Sequence, residues 1–201
     1  GYINGRKVLV SSVNLEKNKK YEGREISEIA GEKNVFEFIL DLLFEEEGSV
    51  GAIYMSMDEE DVRRVMKDPF TATGNDASAS ATEGPLFRGK PHPRTYGTFP
   101  RVLGKYSREE GLFSMEEGIR KMTSLPAKML GLTDRGVIKH GMAADLVVFD
   151  RNTIEDRGTY KEPHNYPKGI EYVIVNGHVV LDRGEILSDM PGKVLRKIYN
   201  S

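Results

Sequence analysis

The sequence of 201 residues is 38% hydrophobic and 30% charged, enough apolar material to bury a core and too much for a disordered chain. Its formal net charge of −2 and mixed-sign runs such as DEEDVRRVMKD exclude the basic footprint of a nucleic-acid-binding protein, and no apolar run is long enough for a membrane span. Zero cysteines exclude disulfides and thiolate metal sites; with no signal peptide ahead of Gly1 the expectation is a soluble, cytoplasmic protein, and an opening without an initiator methionine reads as a fragment.

Taken in order, KVLVSS (residues 7–12) is a β-rich run followed by a polar loop. From Asn34 onward, Phe36, Ile39, Leu40, Leu43 and Phe44 follow the i, i+3, i+4, i+7, i+8 spacing of one helical face, with Asn34 as cap, Glu37 three residues on and Gly48 as stop. VGAIYMSM (50–57) is the second expected strand. DEEDVRRVMKD (58–68) then reads as a short helix, acidic in its first turn and basic in its last, ended by Pro69. FTATGN (70–75) is the third expected strand. Strand and helix alternating at this spacing predict parallel βαβ units, whose chemistry sits at strand C-terminal ends and therefore at Asp76.

A loop over 76–99, rich in glycine, serine and proline, is too long for a plain connector and is expected to cover a site. Pro100 is expected to open a helix through Tyr106, Ser114 with Glu117 forms a capping box for the next, and a short helical segment from Pro126 ends at Gly131. Beyond it the texture becomes alternating and β-branched, and Asn176-Gly177 between two apolar runs signals a hairpin, so several antiparallel strands are expected. The expected division is residues 1–131 as a partial (β/α) barrel and 132–201 as a β-rich module.

Four stretches carry a family resemblance: GAIYMSMDEEDV, TGNDASAS, KPHPRTYGTFPRVLGKY with KMTSLPAKMLGL, and GVIKHGMAADLVVFD with IEYVIVNGHVV. Together they resemble the C-terminal half of the N-acyl-D-amino-acid deacylases (D-aminoacylases) of the amidohydrolase superfamily. ADLVVFD is shared by many amidohydrolases, whereas HPRTYGTFPRVLG is particular to this branch. The implied fold is α/β: the last three β/α units of a (β/α)8 barrel, then a small β module that forms part of a β-sandwich. The implied partners are an N-acyl-D-amino acid and the missing N-terminal half of the barrel, which a full barrel of roughly 250 residues requires.

The resemblance also implies zinc in the full-length enzyme. The four histidines here, His92, His140, His164 and His178, show no H-x-H or H-E-x-x-H spacing, so this chain alone is expected to bind none. Asp76 is the position at which the family places a carboxylate beside a metal-bound water, as ligand and proton shuttle; without the family it reads as a turn residue. The family commonly has Gly-Ser-Asp-Gly where this chain has Gly74-Asn75-Asp76-Ala77. Arg94 is implied as the clamp for the substrate's α-carboxylate, since a guanidinium meets a carboxylate with two parallel hydrogen bonds. Tyr54 and Met57 either border the pocket for the substrate's apolar part or pack in the core. His92 either bonds within the active-site loop or orders it, the other histidines read as structural or surface groups, and Asp145 reads as a turn residue. Two alternatives stand beside this. One is another amidohydrolase branch, such as a cyclic amidase of dihydroorotase type, in which Arg94 would not face the site. The other is a non-catalytic remnant that self-associates into a homo-oligomer through exposed strand edges.

Overall fold

The structure is a computed structural model that describes residues 8–196. Lys7, expected to open the first strand, and residues 197–201, assigned to the β-rich module, lie outside the described residues. The elements in chain order are β1 (Val8–Ser12), a 3-10 turn (Glu16–Tyr21), α1 (Ile26–Ala30), α2 (Val35–Glu45), β2 (Gly51–Tyr54) and α3 (Glu59–Lys67). There follow a second 3-10 turn (Gly84–Leu86), α4 (Arg94–Arg101), a π-helical stretch (Val102–Glu109), α5 (Met115–Met122), α6 (Ser124–Leu130) and the strands β3 (Leu146–Phe149), β4 (Ile170–Val175), β5 (His178–Asp182) and β6 (Glu185–Ile186). No helix among the described residues is long and apolar enough to cross a membrane.

These elements divide into two compact units, and the division does not fall at residue 131. The first comprises the described residues to 58 with 76–97 and 157–166; the second comprises 59–75, 98–156 and the described residues from 167.

In the first unit β1 pairs with β2 antiparallel, Val8 opposite Tyr54 and Leu9 opposite Ile53, where parallel strands were expected. An alternation of strand and helix fixes the order of elements but not the end of the sheet to which a crossover returns the chain. The other edge of β1 is occupied by residues 23–25: Gly23 N–H donates to Val10 O at 2.7 Å, Val10 N–H to Arg24 O at 3.1 Å, and Leu9 bridges Glu25. Val8, Val10 and Val13 pack against Ile26 and Ala30 of α1 and against Phe38 and Leu42 of α2 to form the core of this unit. Asn34 caps α2 as expected, its Oδ1 accepting from Phe36 N–H at 2.9 Å. The buried face of α2 shares only Ile39 with the one expected. Phe38 and Leu42 go inward, while Phe36, Leu40, Leu43 and Phe44 are exposed, Phe44 at 87%. The helix is apolar on two faces, and periodicity cannot say which of them meets the sheet.

The second unit holds a four-stranded antiparallel sheet in the order β3-β4-β5-β6. Its β4–β5 hairpin turns at Asn176 (φ 48°) and Gly177 (φ 83°), the turn chemistry that the Asn-Gly pair announced. Leu103, Met115 and Ile154 form its core, bordered by Ile119, Met122, Phe149 and Ile170. Ser114 caps α5, its Oγ accepting from Glu117 N–H at 3.2 Å. Residues 70–75, expected as a third strand, form none. Their polar groups are met instead by α5: Thr73 N–H donates to Lys121 O at 2.9 Å, and Lys121 Nζ donates to Thr71 O at 3.2 Å. A backbone satisfied in this way needs no strand partner. The helix expected from Pro100 begins at Arg94, so that Pro100 lies inside α4. Because proline offers no N–H, it interrupts the α-helical ladder, and the chain continues in the wider π-helical winding, with Glu110 N–H donating to Lys105 O at 2.9 Å.

Candidate active site

The loop after residue 75 forms an open cleft of about 500 Å³ within the first unit, a size suited to a small molecule. Asp76, Ser80, Arg88, His92 and Arg94 are among the residues on its wall. Asp76 has φ 44°, a left-handed conformation that aspartate adopts more readily than most residues, and Arg94 opens α4. Their side chains meet, Arg94 Nη2 lying 2.9 Å from Asp76 Oδ2. With side-chain exposures of 45% and 89%, such a pair contributes only about 0–1 kcal/mol, so another carboxylate can readily replace Asp76 at the guanidinium.

His92 is oriented by two bonds. Its Nδ1 accepts from the Arg94 backbone N–H at 3.0 Å, and an amide N–H can only donate, so the ring proton sits on Nε2, 3.2 Å from Tyr160 Oη. His92 therefore both lines the cavity and ties its loop to residues 157–166. A second tie runs through His164. A carbonyl only accepts, so His164 Nε2–H donates to Gly89 O at 2.7 Å. Tyr96 Oη lies 3.1 Å from His164 Nδ1 and 3.0 Å from Ser80 Oγ, whose hydroxyl donates to Leu86 O at 3.4 Å. Gly89 is required where it stands. It has φ 48°, and a Cβ there would lie 2.4 Å from Ser11 O at the end of β1, where Lys90 N–H also donates at 2.6 Å.

The structure thus places Asp76, Arg94 and His92 on the wall of one cleft. Neither Tyr54 nor Met57 joins them. They are 66% and 75% exposed, outside the core, and do not line the cavity. His140 and His178 are surface residues, and Asp145 is a turn residue whose Oδ1 accepts from Asn176 N–H at 2.7 Å. Sequence reading missed Arg88, Tyr96 and Tyr160. Tyr96 stands inside the HPRTYG motif, a signal that could have found it; Tyr160 carries no such signal.

The zinc implied by the resemblance does not fit the described residues alone. Among them no three histidine, aspartate or glutamate side chains converge on one point, and the Asp76 carboxylate faces Arg94.

The Amidohydrolase family profile matches residues 58–181, more than half of the sequence, and the chain belongs to that family. Among its relatives is the N-acyl-D-glutamate deacylase of Alcaligenes xylosoxydans xylosoxydans, 43% identical over 147 residues that cover 73% of this chain and 28% of that protein. The D-aminoacylase of the same organism is 40% identical over 177 residues, 87% of this chain and 34% of that protein. A crystal structure of D-aminoacylase superposes with a TM-score of 0.82 at 36% identity over 97% of this chain and 39% of that one. The N-acyl-D-glutamate deacylase of Bordetella bronchiseptica, solved with zinc and a phosphonate mimic of the tetrahedral intermediate, gives 0.81 at 34% identity over 95% and 38%. The chain thus spans 28–34% of the length of these two curated relatives.

Proposed function

We propose that the chain is the C-terminal part of a longer metal-dependent hydrolase that cleaves the amide bond of N-acyl-D-amino acids, and that it supplies a general base and a carboxylate clamp. The observation that carries this is the pairing of Asp76 with Arg94 on the wall of one cavity, in a chain 39–43% identical to three deacylases of such substrates.

The chemistry of these residues follows from the exchange. The substrate's α-carboxylate takes the place of Asp76 at Arg94 and so fixes the amide in the cavity, while the released Asp76 carboxylate accepts a proton from the attacking water. The water oxygen adds to the amide carbon, the C–N bond breaks, and the proton passes from Asp76 to the leaving amine. The products are a carboxylate and a free D-amino acid.

Kinetics of the full-length enzyme test the reading. Arg94→Ala should lower kcat/KM for N-acetyl-D-amino acids by about tenfold or more, mainly through KM, since a charge-assisted hydrogen bond contributes about 1.5–3 kcal/mol. Substrates whose α-carboxylate is amidated should lose far less. Equal losses on both would return Arg94 to the role of a residue that merely orders its loop.

A further inference from the structure

Arg88 is the second arginine that lines the cleft; it is exposed, and among the described residues it has no ion-pair partner, whereas Arg94 faces Asp76. Its base is fixed on both sides. The Phe87 ring lies against His164 with centroids 4.2 Å apart, Gly89 O accepts from His164 Nε2 at 2.7 Å, and Lys90 N–H reaches Ser11 O. A side chain rising from so fixed a backbone loses less freedom on meeting a ligand than one on a loose loop.

We propose that Arg88 receives a second carboxylate, the side-chain carboxylate of an acidic N-acyl-D-amino acid, while Arg94 receives the α-carboxylate. The proposal rests on the deacylase reading above and adds the substrate class. Charge on the wall supports it. Asp76 and Arg94 cancel in the resting pair, and His92, accepting at Nδ1, carries no charge in this arrangement, so Arg88 leaves one positive charge unbalanced. When an α-carboxylate displaces Asp76 from Arg94, a neutral substrate side chain leaves Arg88 still without a counter-ion, and an acidic one supplies it. Besides Asp76, the wall presents uncharged groups such as Ser78, Ser80 and Leu86, none of which repels a carboxylate.

The test is kcat/KM of the full-length enzyme for N-acetyl-D-glutamate, for N-acetyl-D-glutamine, which lacks the side-chain carboxylate, and for N-acetyl-D-isoglutamine, which lacks the α-carboxylate. The wild type should prefer glutamate over glutamine by about tenfold or more, as expected of a bidentate charged contact. Arg88→Gln should lower kcat/KM for glutamate and isoglutamine about tenfold more than for glutamine, chiefly through KM, and Arg88→Lys should retain part of the preference. Equal losses on all three substrates would make Arg88 a structural residue and overturn the proposal. A loss confined to glutamate and glutamine would also overturn it, by making Arg88 the α-carboxylate clamp. Hydrolysis of N-acetyl-D-amino acids without regard to side-chain charge overturns this inference and leaves the deacylase reading in place; hydrolysis of none of them overturns both.

Discussion

Lys121 is 1% exposed, and its ammonium meets backbone carbonyls rather than water. Nζ donates to Asp68 O and Thr71 O, with the Glu117 carboxylate 3.7 Å away, while the neighbouring Arg120 donates to Pro69 O at 2.5 Å. Lys121→Met should therefore cost about 1–3 kcal/mol, the desolvation penalty of carbonyls left without donors, measured as a lower urea midpoint at unchanged m-value. Glu46 plays the opposite part in the first unit, a buried carboxylate that accepts from Asn14 N–H at 2.6 Å, from Leu15 N–H and from the Asn18 amide at 2.8 Å. Burial alone pushes its carboxyl up, but the bonds from Asn18, Asn14 and Leu15 outweigh it and hold the group below its ordinary value of 4.5. A carboxyl lowered by folding stabilises above its unfolded pKa, and that contribution is lost as pH falls through the folded value. The stability gap between wild type and Glu46→Gln should accordingly be widest near neutral pH and close on acidification; a gap that widens in acid would contradict this origin. At Asp76 the expected change follows from its proposed role as base: Asp76→Asn keeps the shape without the carboxylate, and kcat of the full-length enzyme should fall about 100-fold with KM little altered.

Gly104, within the π-helical stretch, decides how closely that element approaches its neighbour, because a Cβ there would lie 2.5 Å from Ile154 O. Helix propensity alone favours alanine by about 1 kcal/mol. The clash with a backbone atom that cannot turn away should win, so Gly104→Ala should destabilise by about 1–3 kcal/mol; a raised melting temperature would show that the contact relaxes at little cost. Elements of this kind also show what the sequence could and could not reveal. The caps at Asn34 and Ser114 and the Asn176-Gly177 turn were legible because each is completed by groups two or three residues away. The direction of β2, the fate of residues 70–75 and the buried face of α2 were not, because each is settled by groups far along the chain. The site divides in the same way. Asp76, His92 and Arg94 stand inside motifs, whereas His164 acts on partners 68 and 75 positions away, a relation that no local pattern encodes.

For the whole molecule, the second apolar stripe of α2, Phe36, Leu40, Leu43 and Phe44, is the feature with the plainest physical outcome. Contiguous exposed apolar side chains favour association, so the 201-residue chain should show concentration-dependent sedimentation, and Leu40→Lys with Phe44→Lys should reduce it without lowering the melting temperature. Identical sedimentation of the two proteins would show the stripe to be inert. The order of the first unit along the chain has a further consequence. The loop that bears Asp76 and Arg94 is tied down by Tyr160 and His164, which leave the ribosome only after residues 98–156 of the other unit have been made. At about 5–20 residues per second, the nascent loop waits roughly 3–12 s without its fasteners. The cavity is thus a late product of translation, and a pause in synthesis anywhere between residues 98 and 156 prolongs the interval in which a protease can cut the unfastened loop.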